Sequence, residues 1–227
     1  MTILQIETAT ASCSVALSKD SKVLAEKQAV GRNLHAGMIT LFIDEVLSKA
    51  GFSYANLDAI AVSCGPGSYT GLRIGVSTAK GLCFGLDKPL IAIETLTAMA
   101  QGIMGMDEYS TNPNLVLCPM IDARRMEVYT AFFNMQGERL QETAAAIVDE
   151  NSFGDILKNN EVLFFGDGAE KCFNVLKANP NARYLPGFEN SAAHLSQLAQ
   201  QKFTANQFED VAYFEPYYLK DFIAGGK

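Results

Sequence analysis

Histidine is nearly absent: His35 and His194 are the only 2 in 227 residues, and each stands alone. There is no HExxH and no spaced histidine pair, which argues against a histidine-rich catalytic metal centre. A Ser-His-Asp triad has no local support, and a solitary histidine more often fills a surface or a core. Basic charge is also short. The 18 Lys and Arg against 25 Asp and Glu leave a net charge of −7. That opposes unaided binding to a phosphate backbone, whose affinity comes mainly from cations displacing counterions. A nucleic acid partner would need a second protein to hold it. No apolar run approaches the roughly 20 residues of a membrane span. The opening residues carry no basic signal-peptide region and no lipidation motif is visible, so no membrane partner is expected and the cytoplasm is the expected compartment. Cys13, Cys64, Cys83, Cys118 and Cys172 are odd in number and never form CxxC. They are expected to be small buried hydrophobes, not disulfides or zinc ligands.

What is present is a chain 48% hydrophobic, ample for a packed core. Residues 2–6 read as an apolar strand, 12–18 alternate as a half-buried strand, and 22–29 close a meander after the Asp20-Ser21 turn. A helix over 34–50 follows, with Asn33 placed to cap it and Gly51 to end it. Further expectations are a strand at 57–63, a helix to about residue 86, a strand at 90–93 and a helix from 95. The polar stretch 107–114 suggests a boundary, giving halves 1–106 and 107–227. Beyond it the pattern repeats: LQIET closing into CSVAL is matched by MIDARR closing into EVYTAF. Two meanders followed by alternating helices and strands imply two mixed α/β halves. Later elements are a hairpin at Met135-Gln136-Gly137, a strand at 162–165 and helices at 169–177 and 192–202. The closing FEPYYL is aromatic enough to pack on a surface, the first half being one option.

Two helices are unusual. In the first, apolar residues from Leu34 to Ala50 span roughly 240°, against little over 100° for an ordinary surface helix. Such a helix is either sandwiched within its own chain or covered on one side by a partner protein. The second carries Gly71 and Gly75, then Gly81 and Gly85, at four-residue spacing. Each interior glycine costs about 1 kcal/mol relative to alanine, so close backbone approach is expected. Arg73 and Lys80 share one face and are almost its only charges.

The corner CGPGSYTGLRIG joins strand to helix, a geometry that can receive an anion. It lacks the lysine of a phosphate loop, misses GxGxxG by one residue, and is not GxSxG. A tight turn with Ser68 as helix cap accounts for it. Glu7 and Asp122 occupy matching bends and could flank a Mg²⁺ near phosphate, yet neither bend has the glycines that let backbone N–H groups approach an anion. Arg124 and Arg125 are suited to phosphate, to acidic groups of a partner, or to a solvated turn.

Together, IETATASCSVAL, RNLHAGMITLFIDEVL, DAIAVSCGPGSYTGLRIGVSTAKGL, KPLIAIETL and IDARRMEVY resemble the TsaB family, also called YeaZ. The resemblance covers residues 1–135 and continues in FFGDGAEK and FEPYYL; Glu7 stands where many relatives have aspartate, keeping the charge. It implies an actin/Hsp70-like (ASKHA) fold of two ribonuclease H-like subdomains. It also implies a non-catalytic subunit in forming N6-threonylcarbamoyladenosine at position 37 of tRNAs reading ANN codons. The chemistry would belong to the paralogue TsaD, with the ATPase TsaE joining and tRNA met only through the complex. The family's partner helices correspond to 34–50 and 69–86, with expected contacts at Leu34, Met38, Leu41, Phe42, Glu45, Arg73, Val76 and Lys80. Alone, the same face would form a homodimer. The paralogue's HxxxH ligands are replaced by Glu94-Thr95-Leu96-Thr97-Ala98-Met99, so no metal and no cofactor of its own is expected. ATP or ADP with Mg²⁺ would enter only in the assembled complex, near Glu7, Thr8, Gly65, Gly67, Asp122, Arg124 and Arg125. The alternatives are a stand-alone ATPase or sugar kinase of this fold and, more weakly, an M22-type metalloprotease.

Overall fold

A computed structural model describes residues 1–31, 34–110 and 112–220. The chain forms two compact units: Met1–Thr95 with the described residues from Ser191 onward, and Leu96–Asn190. The expected division at 106/107 is therefore corrected on two counts. The polar stretch 107–114 lies inside the second unit, and the described residues from Ser191 onward belong to the first.

In the first unit, β1 (Thr2–Glu7), β2 (Ser12–Lys19) and β3 (Lys22–Val30) form the meander. Asp20 and Ser21 both have positive φ, 49° and 67°, as a tight hairpin turn between right-twisted strands requires. After α1 (His35–Ala50) come β4 (Ala59–Gly65), α2 (Tyr69–Leu86) and β5 (Leu90–Glu94), giving the sheet order β3-β2-β1-β4-β5. Helix α1 ends at Gly51, φ 73°, whose N–H reaches the carbonyls of Leu47 and Ser48. The cap expected of Asn33 falls outside the described residues.

One face of this sheet is apolar. Leu4, Ile6, Val15, Leu17, Ile60 and Val62 meet Ile39, Phe42, Ile43, Val46 and Leu47 of α1 and Val76, Ala79 and Cys83 of α2. The other face carries Gln5, Ser14, Ser18 and Ser63, all fully or almost fully buried. The alternation at 12–18 predicts half-burial, but a 3-10 turn at Ala192–Leu195 and helix α7 (Ser196–Thr204) cover the serine side. The Ala192 N–H donates to Ser14 Oγ at 3.1 Å, Ser191 Oγ bonds the Glu26 carboxylate, and Lys202 Nζ reaches the Ala92 carbonyl at 2.7 Å. The terminal helix is thus seated on a polar layer.

That polar seating gives the first unit a pH dependence. Burial holds the His194 pKa below its ordinary value, with the Glu26 charge opposing. Below the unfolded value of about 6.5 the unfolded chain binds the proton more readily, so stability falls as pH drops through that value. Thermal melts at pH 7.5 and 5.5 should show this loss, and His194→Gln should reduce it; an unchanged loss in the variant would refute the assignment to His194.

The second unit repeats the topology. Strands β6 (Val116–Asp122), β7 (Glu127–Phe133), β8 (Arg139–Ile147), β9 (Val162–Phe165) and β10 (Ala182–Leu185) lie in the order β10-β9-β6-β7-β8. One face packs Val116, Met120 and Phe132 with Leu157 of α5 (Gly154–Leu157) and Cys172 and Leu176 of α6 (Ala169–Leu176). The other packs Leu117, Ile121, Phe133 and Leu163 with Leu96, Met99, Ala100 and Ile103 of α3 (Thr95–Met104), which the short helix α4 (Asp107–Ser110) follows. Those α3 residues place the boundary at 95/96, because their apolar face is completed only by this sheet. The helix after β5 belongs to the second unit and the helix after β10 to the first.

All five cysteines are free and Cys13, Cys83, Cys118 and Cys172 are buried. Burial pushes the thiols of Cys13 and Cys172 up to about 11 and that of Cys83 to about 12. Among the described residues no helix is long and apolar enough to cross a membrane.

Candidate functional site

Glu7 ends the central strand β1, only 1% exposed, and its Oε1 accepts the Ala9 N–H at 2.6 Å. His35, first residue of α1, lies with Nε2 2.9 Å from the Thr10 carbonyl and 3.2 Å from that of Ser12. Carbonyls only accept, so Nε2 carries the hydrogen and α1 pins the bend. The corner closes over the bend from the other side, with Ser68 N–H donating to the Ala9 carbonyl at 2.6 Å. A Cβ on Gly67 would meet Ala9 O at 2.4 Å, one on Gly71 would meet Thr8 O at 2.1 Å, and one on Gly75 would meet Thr8 Oγ1 at 2.2 Å. The glycine spacing of α2 therefore lets the helix backbone rest on the β1–β2 bend, and Thr8 Oγ1 is buried there without a hydrogen-bond partner. The expected close approach holds for these glycines; Gly81 and Gly85, and Gly37 on α1, face open space.

Gly65 has another cause. It has φ 123°, and a Cβ there would meet the Tyr217 carbonyl oxygen at 2.3 Å. The closing segment crosses this corner, with the Tyr217 N–H donating to the Cys64 carbonyl at 2.7 Å. The first unit thus brings Glu7, Thr8, Gly65 and Gly67 together as a close-packed corner.

The second unit gathers Asp122, Arg124 and Arg125 in the β6–β7 bend. Asp122 Oδ1 accepts the Arg124 N–H at 2.7 Å and the Lys171 ammonium at 2.6 Å; Lys171 also donates to the Glu127 carbonyl at 2.8 Å. Arg124 and Arg125 have positive φ, 73° and 49°, a cost that the surrounding bonds must offset. Both arginines are exposed. Asp167, from the GDG stretch, accepts the Asp122 N–H at 2.9 Å. Although Asp167 keeps an exposed edge, crowding around its carboxylate raises its pKa; the Asp122 charge adds to this, while the Asp122 N–H and Lys171 oppose it. Lys171 and Asp167 were hidden in FFGDGAEK, where glycines flanking an acid after a strand were the available signal. Each bend uses the same device, a terminal carboxylate accepting the N–H two residues on.

The expected docking residues divide. Leu41 is 53% exposed and Leu34 and Met38 are half-buried, but Phe42 (1%) and Val76 (3%) belong to the core and cannot serve as surface contacts. The wide apolar arc of α1 is consumed mostly by its own sheet. Glu45 pairs with Lys27 at 2.8 Å. Arg73 is exposed, its guanidinium 5.4 Å from the centroid of the Tyr69 ring. Lys80 is already engaged, donating to the carbonyls of Phe214 at 2.8 Å and Ala212 at 3.3 Å. The residue sequence reasoning missed is Phe84, 87% exposed. It stands about three helical turns beyond Arg73, on the same face, which was the legible sign. A groove of about 540 Å³ beside α1 is lined by Glu26, Lys27, Asp44, Glu45 and Lys49 among others, and Lys27 and Glu45 pair with each other there.

A family model described as "TsaD: tRNA N6-adenosine threonylcarbamoyltransferase" matches residues 23–224. The "tRNA threonylcarbamoyladenosine biosynthesis protein TsaB" of Escherichia coli (strain K12) is 31% identical, the match covering 100% of this chain and 98% of the relative. The chain belongs to the TsaB (YeaZ) family. The Bacillus subtilis (strain 168) TsaB is likewise 31% identical, over 73% of this chain and 71% of the relative. Among solved structures, "YeaZ from Pseudomonas aeruginosa" has a TM-score of 0.78 at 27% identity, covering 96% of this chain and 99% of that one. The activator of 2-hydroxyisocaproyl-CoA dehydratase from Clostridium difficile, 8% identical with TM-score 0.54 over 91% and 97% of the two chains, shares the fold alone. The fold is the actin/Hsp70-like one, built from two five-stranded α/β units. In this TsaB-family chain residues 95–99 serve packing: Thr95 Oγ1 lies 2.8 Å from Ser63 Oγ, while Leu96, Ala98 and Met99 are buried. Among the described residues no three His, Cys, Asp or Glu side chains are grouped to hold a metal ion.

Proposed function

We propose that this protein acts in the formation of N6-threonylcarbamoyladenosine in tRNA, as a non-catalytic subunit that docks the transferase TsaD through the outer faces of α1 and α2. The observation that carries this is Phe84, an aromatic ring 87% exposed on a helix whose neighbouring Gly81 and Gly85 open onto empty space. Flanking small residues let a second helix come close, and the ring supplies a central anchor. Leu41 on α1 adds a second exposed apolar side chain. In this arrangement TsaE joins the pair, tRNA is met through the complex, and any ATP or ADP with Mg²⁺ is bound in the assembly. Without TsaD, the same face self-associates into a homodimer.

A stand-alone ATPase or kinase is disfavoured by the first bend, where Thr8 and Ala9 are fully buried against the backbone of the corner and of α2. A metalloprotease is disfavoured by the residues that replace HxxxH. The decisive experiment is reconstitution with TsaD and TsaE from the same genome, threonylcarbamoyl-adenylate and unmodified tRNA. Modification should require this protein, and Phe84→Glu should weaken the TsaD complex by about 2 kcal/mol or more, with an unchanged melting temperature. Full modification without this chain, or peptide cleavage or ATP hydrolysis by it alone, would overturn the proposal.

A further inference from the structure

The segment after α7 packs Val211 and Phe214, both partly buried, against the first unit's core, and backbone bonds fix its course. Glu209 N–H donates to the Leu90 carbonyl at 2.9 Å, at the edge of the sheet, and Tyr217 N–H to the Cys64 carbonyl at 2.7 Å. In between, Lys80 from α2 holds two of its carbonyls, Ala212 and Phe214. At the far end the Tyr218 ring lies 4.7 Å from that of Tyr69, and the Tyr69 ring also meets the Arg73 guanidinium. Lys80 and Tyr69 are about three turns apart on α2, so residues 212–218 run alongside that helix, flanking the stripe that bears Arg73 and Phe84. Tyr213 stands between the two carbonyls that Lys80 holds, and its side chain is 84% exposed. Phe84 stands one turn beyond Lys80. One anchored ammonium is therefore bracketed by two aromatic residues that are both almost wholly in water, although burying such a ring contributes more than burying most other side chains.

We infer that residues 212–218 form a strap that is a second wall of the docking face on α2, and that Lys80 is the positioning residue that sets this wall. The inference rests on the docking of TsaD proposed above and extends it from helix packing to an aromatic-rimmed cleft. The occupant is a segment of TsaD whose apolar side chains enter between Phe84 and Tyr213. A carboxylate of that segment is placed to meet Arg73, the exposed cation of the stripe. Lys80 contributes no contact of its own, since its ammonium faces the strap carbonyls; it fixes where Tyr213 stands.

The test uses the full-length protein with purified TsaD from the same genome, read by calorimetric titration and by hydrogen exchange. Tyr213→Ala should weaken binding at least tenfold without shifting the melting temperature. Lys80→Met should speed exchange of the Tyr217 amide and weaken binding comparably, and Lys80→Arg, which can still donate to both carbonyls, should restore most of each. If Tyr213→Ala and Lys80→Met bind as the parent does while Phe84→Glu does not, the strap inference is wrong and the helix proposal stands. If Phe84→Glu also binds normally, the docking proposal fails and the strap with it. Should Lys80→Met not fold, Tyr213→Ala decides alone.

Discussion

Gly71→Ala is expected to destabilise the first unit by about 3 kcal/mol or more, whereas Gly81→Ala, ten residues along the same helix, should stabilise it by up to about 1 kcal/mol. The difference lies in what each Cβ meets. At Gly71 it would stand 2.1 Å from the Thr8 carbonyl oxygen. That oxygen cannot move away, because the bend is held by Ala9 N–H on Glu7 and by Ser68 N–H on Ala9. At Gly81 and Gly85 nothing lies within 4 Å, so alanine removes backbone entropy from the unfolded chain without a clash. Gly75→Ala should fall between, since its obstacle is the Thr8 side chain, which can turn. Urea unfolding of the three variants checks the order. A Gly71→Ala protein as stable as the parent would show that α2 does not rest on the bend. Retention of glycine at 81 and 85 despite this cost then points outward, and Gly81→Leu should impair docking while leaving folding intact.

Much of this architecture was legible because it depends on local patterning. The Asp20-Ser21 turn, the glycine ending α1 and the repeated strand–acid–turn–strand unit are written in short stretches, each with one dominant physical cause. The identities of buried and exposed residues on a helix are less local. The apolar arc of α1 gives an angular width but no direction, and Phe42 and Leu41 differ by one position while facing core and solvent. The boundary escapes the sequence for a related reason: Asp107, Glu108 and Asn114 are polar because they lie at the surface of one unit, and polarity alone does not separate a surface loop from a linker. Assigning α3 to the second unit requires knowing that Leu117, Phe133 and Leu163 leave an apolar face to cover. The strap was illegible for want of periodicity, since Glu209 and Tyr217 are held by backbone bonds, which any residue but proline could make. The expectation of Lys80 as a partner contact misses its anchor for the same reason. Its partners are carbonyl oxygens, and carbonyls have no signature in a sequence.

Phe42→Asp should abolish folding of the first unit, and Leu41→Asp should leave it folded but unable to hold TsaD. Phe42 is 1% exposed and packs in the cluster joining α1 to the central strands. Truncating such a ring costs about 3–5 kcal/mol, and a buried carboxylate adds several more unless it is protonated. Domains of this kind are stable by roughly 5–15 kcal/mol in total, so the sum approaches or exceeds what holds the unit together. Lys27 stands 5.6 Å from the Phe42 ring, but it is already paired with Glu45 and is a weak neutralising partner for a new charge. Leu41 is 53% exposed, and substitutions at such positions usually change stability by about 0.5 kcal/mol or less. Circular dichroism and thermal melts read the folding arm, and titration with TsaD reads the other. A cooperative, parent-like melt for Phe42→Asp would mean that the α1 core is not as described. Undiminished TsaD binding by Leu41→Asp would remove α1 from the docking face and leave it to α2 and the strap.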